Sequence, residues 1–324
     1  MTKMNRKLQG TDLDVSRLCF GTMTFGKPAD QAEASRLVNR CIEAGINFFD
    51  TANAYQTGVA ETMLGIALRG KRDKLIVASK VRGKMGDGPD EEGLSKPAIL
   101  RAVEDSLRRL QTEYLDLYYL HQPDYKVPIQ ETLEAMNQLV QQGKVRYIAS
   151  SNYTGWQVCQ MLGLAKRSGG QLPAIAQMMY NLLARGIEQE FVSMTKELGV
   201  SIVAYNPLAG GLLTGKHEAA SIMPGSRFDQ NQQYQDRYWH AQDFAAVERL
   251  RTIAAKAGRS LVSLALNWLL HHTATDCVIL GASRLEQLDQ NLAAAGDGPL
   301  PMDVLAACDE VWQQLRGPTP VYNR

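Results

Sequence analysis

The stretch Gly45–Tyr55, GINFFDTANAY, decides the fold. Its apolar run, Ile46-Asn47-Phe48-Phe49, is too short for a helix and reads as a buried strand. The run ends on Asp50, and a polar loop carrying Tyr55 follows at once. A carboxylate after a strand is usually part of a surface turn. Here the pattern repeats: LIVASK ends on Lys80, YLDLYYLH on His121, YIASSN on Ser151 and Asn152, AIAQ on Gln177 and SIVAY on Tyr205. When such strands form a parallel (β/α) barrel, all these ends lie on one face, and that face holds the active site.

Working outward, Lys7–Ser16 has a Gly-Thr-Asp centre between short alternating runs and predicts a β-hairpin. Leu18–Gly21 reads as a first barrel strand. Apolar residues at Ala34, Leu37, Val38, Cys41 and Ile42 predict a helix over 31–44, with Gly45 suited to its end. Strands and helices then alternate: helix 61–68, strand 75–80, helix 96–110, strand 115–121, helix 129–142, strand 145–150, helix 156–166, strand 174–177, helix 188–198 and strand 201–205. The segment 206–239 reads as a long loop. Helices 244–257 and 261–271, strand 277–280, and helices 285–295 and 304–315 complete the chain. Eight βα units favour a (β/α)8 TIM barrel over an open doubly wound sheet, with an N-terminal β-hairpin and extra C-terminal helices. Length alone permits one barrel or two smaller domains, but no linker divides residues 1–324, so one barrel domain is expected.

The chain has 324 residues, 45% hydrophobic and 21% charged, with a net charge of +1. That is a soluble globular composition with ample core. Near-zero charge argues against a general nucleic-acid partner. No apolar run reaches the ~18 residues of a membrane span, and the start, MTKMNRKLQG, lacks the apolar segment of a signal peptide. Cys19, Cys41, Cys159, Cys277 and Cys308 are odd in number and scattered, with no CxxC pair. That argues against a disulfide frame or zinc knuckle and for a reducing cytoplasm.

GINFFDTANAY, the Lys80 strand end and the YLHQPD around His121 resemble the aldo-keto reductase superfamily, and the resemblance covers nearly the whole chain. NPLAGGLLTGK (206–216), the RYW at 237–239, VILGASRLEQLDQNLAAA (278–295) and the terminal VYNR resemble more closely the aflatoxin-aldehyde and succinic-semialdehyde reductase subfamily. The N-terminal KLQGTDLDVSRLCFGTM is nearer a general bacterial style.

The chemistry can also be read from the residues. A carbonyl reductase sets a hydride donor beside a carbonyl carbon and delivers a proton to its oxygen. Tyr55 is a natural proton donor. Its ordinary pKa of about 10 is high for that task, and a nearby ammonium, Lys80, is expected to lower it. Asp50 can pair with Lys80, and His121 can bond the substrate oxygen. The resemblance implies the same four roles. Each residue alone has a plainer explanation as a surface ion pair, a core tyrosine or a satisfied histidine; the set of four points to catalysis.

No G-x-G-x-x-G follows the first strand, so a Rossmann nucleotide site is not indicated. By resemblance, Gly21 and Thr22 belong to the cofactor site, Ser151, Asn152 and Gln177 hold a nicotinamide carboxamide, and Tyr205 stacks on its ring. Asn206, Pro207, Leu208 and Gly210 cover the pyrophosphate. Lys216 and Arg227 suit a 2′-phosphate, which favours NADPH/NADP+ over NADH; a flexible turn and a solvated charge are the plainer alternatives for the Gly-Gly pair and Arg227. Gly281, Ser283, Gln287, Gln290 and Asn291 line the adenosine half, where amides at a helix start are available to anions.

Two motifs mislead. Gly210–Lys216 matches G-x-x-x-x-G-K, but His217 follows where a P-loop needs Ser or Thr. His271 and His272 point about 100° apart on a helix, so they make no two-ligand face, and no metal is expected. The expected partner is a small-molecule carbonyl substrate, with homodimerisation left open. Aldo-keto reductases cover their substrate pocket with C-terminal segments, and the subfamily ends in an arginine and accepts carboxylated or dicarbonyl aldehydes. Arg324, pinned through Tyr322, is therefore expected at the mouth of the site, with Arg237 as the second substrate-binding candidate. Potassium-channel β subunits share this architecture, so a cofactor-binding regulatory subunit is the alternative function; a purely structural barrel is a third.

Overall fold

In a computed structural model of the protein, residues 5–318 are described. Strands β1 (Asn5–Lys7) and β2 (Asp14–Ser16) form the antiparallel hairpin. β3 (Leu18–Gly21), β4 (Phe48–Asp50), β5 (Ile76–Val81), β6 (Leu115–Leu120), β7 (Val145–Ser151), β8 (Ile175–Met179), β9 (Ser201–Tyr205) and β10 (Thr275–Leu280) pair in parallel in sequence order. β10 returns to β3 and closes the barrel. This is the (β/α)8 barrel expected, with its hairpin.

Helices α1 (Gln31–Glu43), α2 (Val59–Ala67), α3 (Lys96–Leu110), α4 (Ile129–Gln141), α5 (Gly155–Ser168) and α6 (Phe191–Leu198) follow successive strands. After β9 come α7 (Gln232–Tyr238), α8 (Ala241–Lys256) and α9 (Leu261–His272); α10 (Leu285–Ala295) and α11 (Met302–Arg316) follow β10. In α3 the local causes are explicit. The Ser95 side chain accepts from Ala98 N, Pro97 sits in the first turn, and Gln111 turns left-handed to end the helix. Ile99, Val103, Leu107 and Leu110 make its buried face.

Alternation along the strands builds two core layers. Leu117 and Tyr119 of β6 point into the barrel with Cys19, Phe48, Ala78 and Val203, above a plug of Leu8, Leu13 and Val15 from the hairpin. Tyr118 and Leu120 point outward to the helix layer. α2 lies so close to α3 that a Cβ on Gly65 would sit 2.6 Å from Leu110 O and 2.7 Å from Arg109 O. Gly65→Ala should therefore lower the free energy of unfolding by about 1–3 kcal/mol through overpacking. Chemical denaturation checks this; an unchanged midpoint would show that the helices separate freely.

Three expectations need correction. The segment 206–239 is not all loop: a 3-10 turn spans Ala209–Thr214, and α7 is a helix. Asn231 caps α7 by accepting from Tyr234 N, and the i,i+4 pair Tyr234 and Tyr238 is buried. The predicted helix 188–198 starts at Phe191, after a 3-10 turn at Gly186–Gln189. The predicted strand through Ile46 begins at Phe48. Tyr322 and Arg324 lie outside the described residues.

Candidate active site

Barrel register brings the polar strand ends together. Gly21 is level with Asp50, Asp50 with Ala78, and Ser151 with Gln177. Lys80 lies two residues beyond Ala78 on β5, so its side chain reaches back across β4. Its ammonium donates to Asp50 Oδ1, to Thr51 O at 2.8 Å and to Tyr55 OH at 3.2 Å. The second Asp50 oxygen accepts from Gln177 Nε2 at 2.8 Å. Tyr55 is held in a 3-10 turn, Tyr55–Gly58, whose Gln56 and Thr57 are left-handed (φ 47° and 51°). The His121 ring meets the Tyr55 ring edge-on, centroids 6.0 Å apart. The structure thus brings Asp50, Tyr55, Lys80 and His121 into one cluster.

Electrostatics correct one expectation. Burial raises the proton affinity of Tyr55 more than Lys80 lowers it, so its pKa moves up from the usual tyrosine value, not down. Tyr55 is therefore a fully protonated phenol at neutral pH. Burial also works to strip Lys80 of its proton, but Asp50 and Tyr55 outweigh it, and Lys80 holds its proton more tightly than free lysine. His121 is pushed down to about 3, by burial first and then by Lys80 and Arg82, so its imidazole is uncharged. The cluster combines a neutral phenol, a fixed ammonium and a neutral imidazole at one barrel mouth.

Around it, Thr22 N donates to Asp50 O at 2.9 Å, and the Thr22 hydroxyl is buried without a protein partner. Asn152 is left-handed (φ 62°). Its amide donates to His121 O at 2.9 Å and Ser151 Oγ at 3.1 Å and accepts from Tyr205 OH at 2.7 Å. Asn206 is also left-handed (φ 59°), and Tyr234 OH donates to its Oδ1 at 3.3 Å. Pro207 and Leu208 lead into the glycine turn, where Gly210 (φ 69°) faces Tyr234: a Cβ there would lie 2.8 Å from the ring.

Arg227 and Arg237 flank the Tyr234 ring, guanidinium carbons 5.5 and 5.6 Å from its centroid. Arg227 also bonds Met23 Sδ at 2.9 Å. Lys216 is exposed. At the start of α10, where backbone amides were expected to be available to anions, two are taken by side chains. Ser283 N donates to Gln287 Oε1 at 3.0 Å and Leu285 N to Glu33 Oε1 at 2.7 Å, because helix-start N–H groups bind whichever acceptor reaches them. Asn291 donates to Gly281 O at 3.5 Å, and Gln290 is exposed.

Sequence reading missed Tyr234, Met23 and His217 at this mouth. The spacing of Tyr234 and Tyr238 and the capping Asn231 are the local signals for α7; nothing local marks Met23 or His217. The G-x-x-x-x-G-K segment forms a 3-10 turn after a barrel strand and opens no P-loop helix. His272 Nε2 accepts from Leu300 N at 2.8 Å, a structural bond. Among the described residues, no group of three or more His, Cys, Asp or Glu could hold a metal ion, and no helix is long and apolar enough to cross a membrane.

Comparison with known proteins agrees with this geometry. The model of the Aldo/keto reductase family matches residues 17–313. Aflatoxin B1 aldehyde reductase member 2 of Rattus norvegicus is 38% identical over 321 residues, 94% of this chain and 87% of that protein. Aldo-keto reductase family 7 member A3 of Homo sapiens is 37% identical, over 94% of this chain and 96% of that protein. A probable voltage-gated potassium channel subunit beta of Oryza sativa subsp. japonica is 34% identical, over 91% of this chain and 92% of that protein. Matches this extensive, on a closed parallel barrel with its polar strand ends gathered at one mouth, mean that the chain belongs to the aldo/keto reductase family of oxidoreductases.

Proposed function

We propose that the protein reduces aldehydes to alcohols with NADPH, using Tyr55 as the proton donor to the carbonyl oxygen. The bonded chain Asp50–Lys80–Tyr55 carries this reading. The family acts on small carbonyl compounds and generally uses NAD(P)H, and two relatives are named for aldehyde or aldo-keto reduction.

The barrel mouth fits a nicotinamide dinucleotide. The Asn206 amide nitrogen and the Thr22 hydroxyl are buried without protein partners, and the space beside Gly281 is open. Ser151, Asn152, Gln177 and Tyr205 would hold the nicotinamide end, Asn206–Gly210 the pyrophosphate, and Ser283, Gln287, Gln290 and Asn291 the adenosine. When bound, the cofactor supplies hydride to the carbonyl carbon. Tyr55 gives its phenolic proton to the carbonyl oxygen. The Lys80 ammonium stabilises the phenolate left behind, Asp50 fixes Lys80, and His121 offers a neutral ring N–H that orients the oxygen.

Arg237 extends the reading to aldehydes bearing a carboxylate: among the described residues it has no carboxylate partner, and its contact is the Tyr234 ring. The matching role for Arg324 rests on the resemblance alone. The free cysteines of the described barrel suit a reducing cytoplasm.

The test follows NADPH consumption with 4-nitrobenzaldehyde, then with a carbonyl panel that includes succinic semialdehyde. Turnover supports the reductase. Cofactor binding without turnover of any carbonyl would favour the regulatory-subunit reading, which the similarity to the rice potassium-channel subunit supports.

Cofactor choice has its own test. A charge-assisted bond to a phosphate contributes about 1.5–3 kcal/mol, so Lys216→Met should weaken NADPH roughly tenfold or more and leave NADH unchanged. Equal losses in titrations of both cofactors would make Lys216 structural.

A further inference from the structure

We propose that His217 bonds a phosphoryl oxygen of the bound dinucleotide through the gap left by Gly211; this rests on the NADPH reading above. His217 is only 6% exposed, and both ring nitrogens are buried without a protein partner. Its ring is caged edge-on by Phe228, centroids 5.1 Å apart, and Trp239, at 5.8 Å. An apolar ring would satisfy that cage. Two unpaired buried nitrogens instead cost stability, a cost that a ligand bond would remove.

The nitrogens also have a direction. A Cβ on Gly211 would lie 3.3 Å from His217 Nε2 and 4.0 Å from Lys216 Cε. The imidazole and the lysine stem thus converge on the one spot that a side chain at 211 would fill. Gly211 has φ 108°, which any other residue resists, so no side chain of the protein takes that spot. Burial, and then the charge of Lys216, push the imidazole pKa down, so the ring is neutral and carries one N–H. An N–H beside an exposed ammonium suits a phosphoryl oxygen, with Lys216 supplying the charge and His217 a directed bond. A lone histidine next to a lysine is a poor cation site, which leaves the anion as the matching ligand chemistry.

The test titrates NADPH and NADH by calorimetry into wild type, His217→Phe and His217→Leu, and records the melting temperature of each without cofactor. The expected result is an NADPH Kd raised about tenfold or more, while the cofactor-free melting temperature is unchanged or higher. Loss for NADPH alone assigns the bond to the 2′-phosphate; equal loss for NADH assigns it to the pyrophosphate. In wild type, the His217 ring ¹⁵N resonances should shift on saturation with NADPH. Affinities within about twofold of wild type for both cofactors, or static ring resonances, overturn the proposal and make His217 a packing residue. A wild type that binds neither nucleotide overturns the functional reading and this one together, whereas normal binding by wild type and variants alike overturns this one alone.

Discussion

Tyr55→Phe lowers kcat for carbonyl reduction by about 10²–10⁴-fold, the usual contribution of general acid catalysis, and leaves the Kd for NADPH nearly unchanged. Phenylalanine keeps the ring, and hence the edge-on contact with His121 and the cation–π approach of Lys80 at 4.9 Å. It removes only the hydroxyl that Lys80 contacts at 3.2 Å. Burial makes this phenol harder to ionise, so it enters each turnover protonated, as a donor must. Steady-state kinetics with a cofactor titration separate the two effects. A variant with wild-type kcat means that another group delivers the proton.

Lys80→Met acts on both activity and stability. Lys80 is fully buried, and Asp50 is 2% exposed. Removing the ammonium leaves a buried carboxylate with Gln177 as its remaining side-chain donor. Breaking one side of a buried pair costs about 3–5 kcal/mol, because the desolvated partner is left uncompensated. The same change strips the developing Tyr55 phenolate of its positive neighbour, so the rate should fall at least as far as for Tyr55→Phe. Adding Asp50→Asn should restore much of the stability and none of the activity. Denaturant melts of wild type, the single and the double variant, read with kcat, check both halves. A single variant as stable as wild type would mean that water reaches the pair and screens it.

Gln232–Tyr238 shows where sequence reading ran out. Its seven residues carry a two-tyrosine period too short to stand above a polar background, and the helix exists because both rings are buried beside the glycine turn. The proton affinity of Tyr55 is a second case. The ammonium at Lys80 was legible and the direction of its pull correct, but the desolvation opposing it is a property of the assembled barrel mouth. The start of α10 is a third: Glu33, 252 residues away in the chain, takes an amide that local sequence marks as free.

The sequence by itself determined the barrel strands, most of the helices between them and their order. α3, β9 and α10 occupy the residues their periodicity and end signals predict, because hydrophobic period, caps and turn residues act between near neighbours along the chain. It also determined that polar side chains end successive parallel strands, so their gathering at one mouth follows from barrel topology. Only the tertiary structure decided what those side chains do to one another: that Gln177, 127 residues from Asp50, takes its second oxygen, that Asn152 spends its amide on His121 and Tyr205, that Tyr55 stays protonated and that His217 is left unpaired. The physical reason is that desolvation and partner choice depend on which groups share a volume, and barrel closure brings into one volume residues that the chain keeps far apart.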